Sequence, residues 1–255
     1  MRKIFLLLGL ILLAVFFIFG IYLNVNYATP ILAYHSLDAT RVDNYAAVDI
    51  KIFQHQMEFI KKGSYKVISL QEYCRILKSG EAVPRKSLVL TFDDGYKDNL
   101  EGIKILKELR FPATIFVIVD KINEKDYLSE NDISVFLGNS KVSIGSHTLS
   151  HAYLPGVSDK ELKKEVAFSK EILEKKFSKN ISAIAYPVGG FDERTLKEVE
   201  NTGYLCACTT NRGFSKKINR FALRRIKITN KDGNLSLWAK LSGFYNIFRK
   251  LKSPH

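Results

Sequence analysis

Two adjacent carboxylates, Asp93 and Asp94, close the apolar run Ser87-Leu88-Val89-Leu90-Thr91-Phe92 and are followed by Gly95. At the C-terminal end of a parallel strand, such a pair stands where α/β proteins build their sites. Neighbouring side chains diverge, so one acid can ligate a cation while the other serves as a base. Asp-Gly is also a turn signature, and taken alone the pair reads equally well as a loop. A second cluster, Ser146-His147-Thr148-Leu149-Ser150-His151, follows the strand pattern Val142-Ser143-Ile144. Histidines four apart share a face if the segment turns as a helix, and together can grip one divalent ion. The chain has only five histidines (His35, His55, His147, His151 and His255), so this pairing carries information. A zinc peptidase would place Glu directly after the first His; here Thr148 stands there, and a base must come from elsewhere.

The elements that must carry these residues alternate. Strand patterns occur at Ile31-Leu32-Ala33-Tyr34, Lys66-Val67-Ile68, Ser87 to Phe92, Ala113 to Val119, Val142-Ser143-Ile144, Ile181 to Ala185, Leu205 to Thr209 and Phe221 to Ile228. Helical spacing appears between them, with Phe53, Met57 and Ile60 on one face of residues 49–62 and Leu100, Ile103 and Leu106 on one face of residues 98–110. Ser158 and Glu161 form a capping-box pattern that opens a helix running to about Lys176. This alternation predicts a mainly parallel α/β sheet, and about eight strands permit a barrel.

Composition sets the surroundings. The 255 residues are 46% hydrophobic and 25% charged, which excludes a disordered or collagen-like chain. Arg2 and Lys3 precede an uncharged, Leu/Ile/Phe-rich stretch over residues 4–25, long enough to cross a bilayer as a helix. No convincing small-x-small cleavage site follows, so an uncleaved signal-anchor is favoured over a cleaved signal peptide. Residues 1–3 are then cytoplasmic, and the remainder lies on the extracellular face of the cell membrane. That location speaks against nucleic acid as a partner despite a formal net charge of +13. The charge is local: twelve Lys/Arg but a single acid, Asp232, fall in residues 212–255. Within residues 231–255, Leu237, Trp238, Leu241, Phe244, Tyr245, Phe248 and Leu251 fall at helical spacing, flanked by Lys240, Arg249, Lys250 and Lys252. Such a segment suits an anionic membrane interface, or its apolar face packs on the catalytic body.

Thr91-Phe92-Asp93-Asp94-Gly95 followed by His147-Thr148-Leu149-Ser150-His151 resembles the paired motifs of the polysaccharide deacetylases, the NodB-type esterases of carbohydrate esterase family 4. The resemblance covers residues 30–230 and implies a distorted (β/α)7-type barrel, here behind a single N-terminal transmembrane helix. Carried over by motif, it implies that Asp94, His147 and His151 hold one divalent metal ion, usually Zn2+, with Asp93 as general base. One Asp and two His leave coordination positions open, as a catalytic metal site requires. A second group must still protonate the leaving amine.

Common family members supply that acid as a histidine near the C-terminus, but after His151 only the terminal His255 remains. His55 lies in the amphipathic stretch Phe53-Gln54-His55-Gln56-Met57 and reads as a surface residue. His35 ends the first strand, a position of the same kind as Asp93. This order resembles the circularly permuted branch of the family, the biofilm poly-β-1,6-N-acetylglucosamine N-deacetylases. His35 is accordingly assigned as general acid, with a structural histidine at the barrel mouth as the alternative. Ala185-Tyr186-Pro187-Val188-Gly189-Gly190 resembles the family's Arg-Pro-Pro-Tyr-Gly stretch and implies the Val188 backbone N–H as oxyanion donor. Ala185 replaces an arginine that in many members orients the catalytic Asp, and Val188 replaces an aromatic. Arg224 or Arg225 could fill the arginine's place. Tyr96 and Tyr186 read either as sugar-facing aromatics or as packing. The three cysteines, Cys74, Cys206 and Cys208, are too few for a disulfide scaffold, and Cys206 and Cys208 read as buried small hydrophobes on one strand face.

The implied activity is metal-dependent N-deacetylation of an extracellular N-acetylglucosamine polymer by a monomer. Poly-β-1,6-N-acetylglucosamine is favoured, with peptidoglycan or a chitin-like oligosaccharide as alternatives. A non-catalytic glycan-binding protein on this fold would be expected to have lost one of Asp93, Asp94, His147 or His151, and all four are kept.

Overall fold

Strands β1 (Ile31–Tyr34), β3 (Ser87–Phe92) and β4 (Ala113–Val117) are buried along their whole length. This is the signature of a parallel sheet covered on both faces and explains why their sequences are continuous runs, without polar alternation. The computed structural model describes residues 2–25, 27–41, 46–211 and 218–242. The other strands are β2 (Lys66–Val67), β5 (Val142–Ser146), β6 (Ala183–Ala185), β7 (Cys206–Cys208) and β8 (Ile226–Lys227). The helices are α1 (Arg2–Val25), α2 (Ile50–Lys62), α3 (Leu70–Ser79), α4 (Asn99–Leu109), α5 (Glu130–Asn139), α6 (Asp159–Lys163), α7 (Ser169–Phe177), α8 (Glu193–Asn201) and α9 (Asn234–Leu241). Ser158 and Glu161 make the expected capping box.

The sheet order is β7-β6-β5-β4-β3-β1-β8, all parallel, with β2 pairing the start of β3. A closed seven-stranded barrel is not formed; the sheet is a half-barrel. Between β7 and the segment that leads into β8 a single parallel bridge, Cys208–Leu223, replaces a ladder. The physical reason is that one short segment serves two neighbours. Leu223 exchanges backbone hydrogen bonds with Ala207 and Thr209 on the β7 side, and a few residues later Ile228 N–H donates to Ala33 on the β1 side.

Register brings the strand ends together. Tyr34 lies opposite Phe92, so the next residues, His35 and Asp93, leave the sheet side by side. Val117 lies opposite Ser146 and Ser146 opposite Ile184, which sets His147 beside Ala185. Below this rim, Tyr34 stacks on Phe92 and Phe53 meets both edge-on, with centroids 5.2–5.7 Å apart.

Two expectations are corrected by the packing. Cys206 is not a free small hydrophobe: it is disulfide-bonded to Cys74, joining α3 to β7 across 132 residues, while Cys208 remains a buried thiol. Lys240 does not flank a lipid-facing surface: it is buried, and its Nζ lies 2.6 Å from Asp232 Oδ1 and donates to the Lys227 carbonyl at 2.9 Å. Leu237 and Leu241 of α9 join the core, so the described part of the C-terminal segment packs on the half-barrel. Phe244, Tyr245, Phe248, Arg249, Lys250, Leu251 and Lys252 lie outside the described residues. Helix α1 has 24 residues and no acid. Among the described residues no helix is long and apolar enough to cross a membrane, so the anchor rests on the sequence.

The disulfide predicts a thiol count. Titration of the native protein with a thiol reagent should find no reactive cysteine, denaturation should release one, and denaturation with reductant all three. Reduction alone should lower stability by about 2–4 kcal/mol. Three thiols in unreduced denatured protein would refute the pairing.

Candidate active site

Asp93 follows β3 and is buried against Arg225. The guanidinium grips the carboxylate with both arms, Nη1 to Oδ1 at 2.6 Å and Nη2 to Oδ2 at 2.7 Å, with both side chains at most 2% exposed. Arg225 is itself anchored by donating Nε–H to the Thr209 carbonyl and Nη1–H to Thr91 Oγ1, each at 3.2 Å. Burial alone would raise the Asp93 pKa. The Arg225 charge, helped by His147 and His35, overrides it and holds the carboxyl well below the usual carboxylate range. Of the two arginines left open by the sequence, Arg225 is the one that orients Asp93. It reaches from the segment before β8 the place that Ala185 leaves vacant on β6.

Asp94 turns the other way because its φ is +71°. Its Oδ1 lies 3.4 Å from His147 Nε2 and 3.6 Å from His151 Nε2, and the three ligand atoms fall within 4.8 Å of one another. Ligands at the ~2.0–2.1 Å of a tetrahedral zinc site are separated by about 3.3 Å, so this donor set fits such a cation with little movement. His147 Nδ1–H donates to the Ala185 carbonyl at 2.8 Å, which leaves Nε2 as the ring's free lone pair. Burial would lower the His147 pKa, but the facing Asp94 and Asp93 carboxylates override it and raise it. The histidines do not share a helix face. Residues 147–153 form a loop in which Thr148 and His151 are left-handed, each with φ +69°.

His35 stands beside Asp93 with Nε2 3.8 Å from Oδ2. Burial lowers its pKa, and Asp93 and Asp94 partly oppose that shift. Its loop is fixed to the start of α4: Asn99 donates to the His35 carbonyl at 2.8 Å, and Asp98 accepts from Ser36 Oγ at 2.6 Å and from Leu37 N–H at 2.8 Å. His55 is exposed on α2, as expected.

The loop after β6 is the third wall. Val188 takes φ +56°, strained for a β-branched residue, and its side chain is 70% exposed. Pro187 and Gly189 beside it are buried. At Gly189, φ +82° and an added Cβ only 2.1 Å from Thr210 Oγ1 admit no other residue. Thr209 and Thr210 hydroxyls donate to the Gly189 and Val188 carbonyls. One candidate sugar contact is corrected here. Tyr186 is fully buried, its hydroxyl bonded to the Phe221 carbonyl, because its ring fills the core beneath the loop. Tyr96 stays half-buried, its ring stacked on Tyr127 at 5.2 Å with the Arg41 guanidinium 4.1 Å from its centroid. Sequence reasoning missed Asp98, Asn99 and Glu165, which act on loop backbone through contacts that no local motif announces.

The profile of the polysaccharide deacetylase family matches residues 80–207. YxkH of Bacillus subtilis, named as a polysaccharide deacetylase, is 33% identical over 202 residues, covering 78% of this chain and 71% of that protein. The poly-β-1,6-N-acetyl-D-glucosamine N-deacetylase of Staphylococcus epidermidis is 25% identical over 218 residues, covering 80% and 74%. The Streptococcus pyogenes deacetylase PplD, solved in complex with acetate, has a TM-score of 0.78 at 28% identity, covering 85% of this chain and 99% of that one. The chain therefore belongs to the polysaccharide deacetylase family, hydrolases of carbon–nitrogen bonds other than peptide bonds.

Proposed function

We propose that this protein removes N-acetyl groups from poly-β-1,6-N-acetylglucosamine outside the cell, using a zinc-like divalent cation held by Asp94, His147 and His151. The observation that carries the reading is the register of β1 against β3, which sets His35 beside Asp93 in place of a C-terminal histidine. The likeness to the S. epidermidis enzyme supports the substrate.

A bound cation would acidify water and polarise the acetamide carbonyl, so the proton acceptor need not be strongly basic. Asp93, kept ionised by Arg225, accepts the proton of the attacking water as its oxygen bonds to the carbonyl carbon. The Val188 backbone N–H receives the developing oxyanion. As the carbon–nitrogen bond breaks, His35 Nε2 gives its proton to the amine, and acetate and a glucosamine unit leave. The Cys74–Cys206 disulfide supports an oxidising, extracellular setting. The chain enters from the rim opposite the site, where Tyr27 bonds the Ser87 carbonyl at the start of β3. With residues 4–25 as anchor, the catalytic rim opens away from the bilayer.

Acetate release from acetylated β-1,6-glucosamine oligomers, peptidoglycan fragments and chitin oligomers tests this. Release from the β-1,6 oligomers should be fastest and stop with chelator; preference for another polymer would reassign the substrate. Asp93→Asn should lower kcat by about 10²–10⁴ with metal content unchanged, and His35→Ala by about 10² or more. Full activity in His35→Ala would dismiss its role as acid.

Arg225→Ala yields a second prediction. It leaves Asp93 buried without its partner, so stability should fall by about 3–5 kcal/mol. The Asp93 pKa, depressed in the native protein, should rise, and the acid limb of the pH–rate profile should move to higher pH. An unmoved limb would show that Arg225 does not set the ionisation of Asp93.

A further inference from the structure

Between α6 and α7 the helix makes a π-helical turn, Lys164–Phe168. Such turns insert an extra residue into the helical rows and re-aim the side chains around it. Here the turn carries Glu165, only 7% exposed, whose carboxylate enters the loop that bears both metal-facing histidines. Oε2 accepts the backbone N–H groups of Leu149 at 3.0 Å and Ser150 at 2.9 Å, and Oε1 accepts the Ser150 hydroxyl at 2.6 Å. Among the described residues Glu165 makes no ion pair, so these three donors are what hold its buried charge.

The loop needs such a support. Thr148 and His151 are both left-handed, a conformation that side chains with a Cβ disfavour. Within the loop, Ser146 Oγ accepts the Thr148 N–H and Thr148 Oγ1 accepts the His151 N–H, each at 3.0 Å. From outside it, Val119 N–H donates to the Thr148 carbonyl at 3.2 Å and Asp120 N–H to the Leu149 carbonyl at 2.9 Å, which hold the first half of the loop and stop short of Ser150 and His151. His147 is fixed by its strand and by the Ala185 carbonyl. Among the described residues His151 has no such fixture, and of the three residues that join it to His147, Leu149 and Ser150 are the two whose N–H groups Glu165 binds.

We infer that Glu165 is a positioning residue for the metal centre: it pins Leu149 and Ser150 so that His151 presents Nε2 at the point already faced by His147 and Asp94. The inference rests on the metal-site reading of those three residues. It acts through geometry, so the pattern of acceptors matters more than the charge. Glutamine keeps the acceptor for both N–H groups in its amide oxygen, and its NH2 replaces the third bond in the reverse direction by donating to Ser150 Oγ once that hydroxyl turns away. Aspartate keeps the charge but falls short of the loop by one methylene.

The test is the Zn2+ dissociation constant of the full chain, measured by chelator competition, together with the thermal melt of each metal-free variant. Glu165→Ala should weaken Zn2+ about 10–100-fold, Glu165→Asp should weaken it by a similar factor, and Glu165→Gln should stay within about threefold of wild type. If the alanine variant does not fold, aspartate against glutamine decides. Wild-type affinity in folded Glu165→Asp and Glu165→Ala would overturn the inference, as would glutamine binding as poorly as aspartate. Asp94→Ala separates the two claims: if it binds Zn2+ as tightly as wild type, or if wild type binds none, the metal site itself is wrong.

Discussion

The buried pair of Asp93 and Arg225 gives the site its division of labour. Two full charges have been taken out of water, and such a pair is weak as a source of stability because desolvation offsets most of the attraction. What it does supply is a carboxylate that stays ionised at full burial and cannot rotate, since the guanidinium holds both oxygens. Asp94, one residue on, has no such partner and faces two imidazoles. Adjacent, chemically identical side chains thus acquire different tasks. Arg225 also reaches the Thr209 carbonyl, and the Thr209 hydroxyl holds the Gly189 carbonyl, so the guanidinium ties Asp93 to the loop proposed to bind the oxyanion.

Around that pair, positioning is done by parallel register and by backbone strain. Strand ends alone bring His35 to Asp93 and His147 to Ala185. The final aiming uses left-handed backbone at Asp94, Thr148, His151 and Val188, all at or beside the site. Conformations of this kind persist only where the surroundings over-determine them and tend to gather at functional sites. The hydroxyls of Ser146, Thr148, Thr209 and Thr210 do that locally by bonding loop backbone.

Much of this was legible in the sequence, for identifiable reasons. Asp93, Asp94, His147 and His151 lie in short motifs directly after apolar runs, and a buried parallel strand is itself an apolar run, so strand and site announce each other. His35 was picked out by its place at a strand end, by the scarcity of histidine and by the resemblance to the circularly permuted branch of the family. What could not be read depends on contacts between distant segments. The choice of Arg225 over Arg224 needs the direction of a side chain before β8. The Cys74–Cys206 bridge spans 132 residues, beyond any spacing rule. Tyr186 looked like a sugar platform because its neighbours are motif residues, yet its ring points into the core. The histidine spacing suggested a helical turn, whereas the convergence comes from two left-handed residues in a loop. The half-barrel, too, depends on one segment serving two strands, and residues 221–228 show no sign of it in sequence.

The central claim is that Asp93 is a permanently ionised base created by Arg225, and the most direct measurement is the titration of its carboxyl carbon by 13C NMR in aspartate-labelled protein, assigned by comparison with Asp93→Asn. The account predicts that this resonance keeps its ionised chemical shift from about pH 8 down to about pH 4, while exposed aspartates move near their ordinary pKa of about 3.9. An Asp93 resonance that titrates between about pH 4 and pH 7 would contradict it, because the carboxyl would then be an ordinary or raised acid and the guanidinium would not be what readies it.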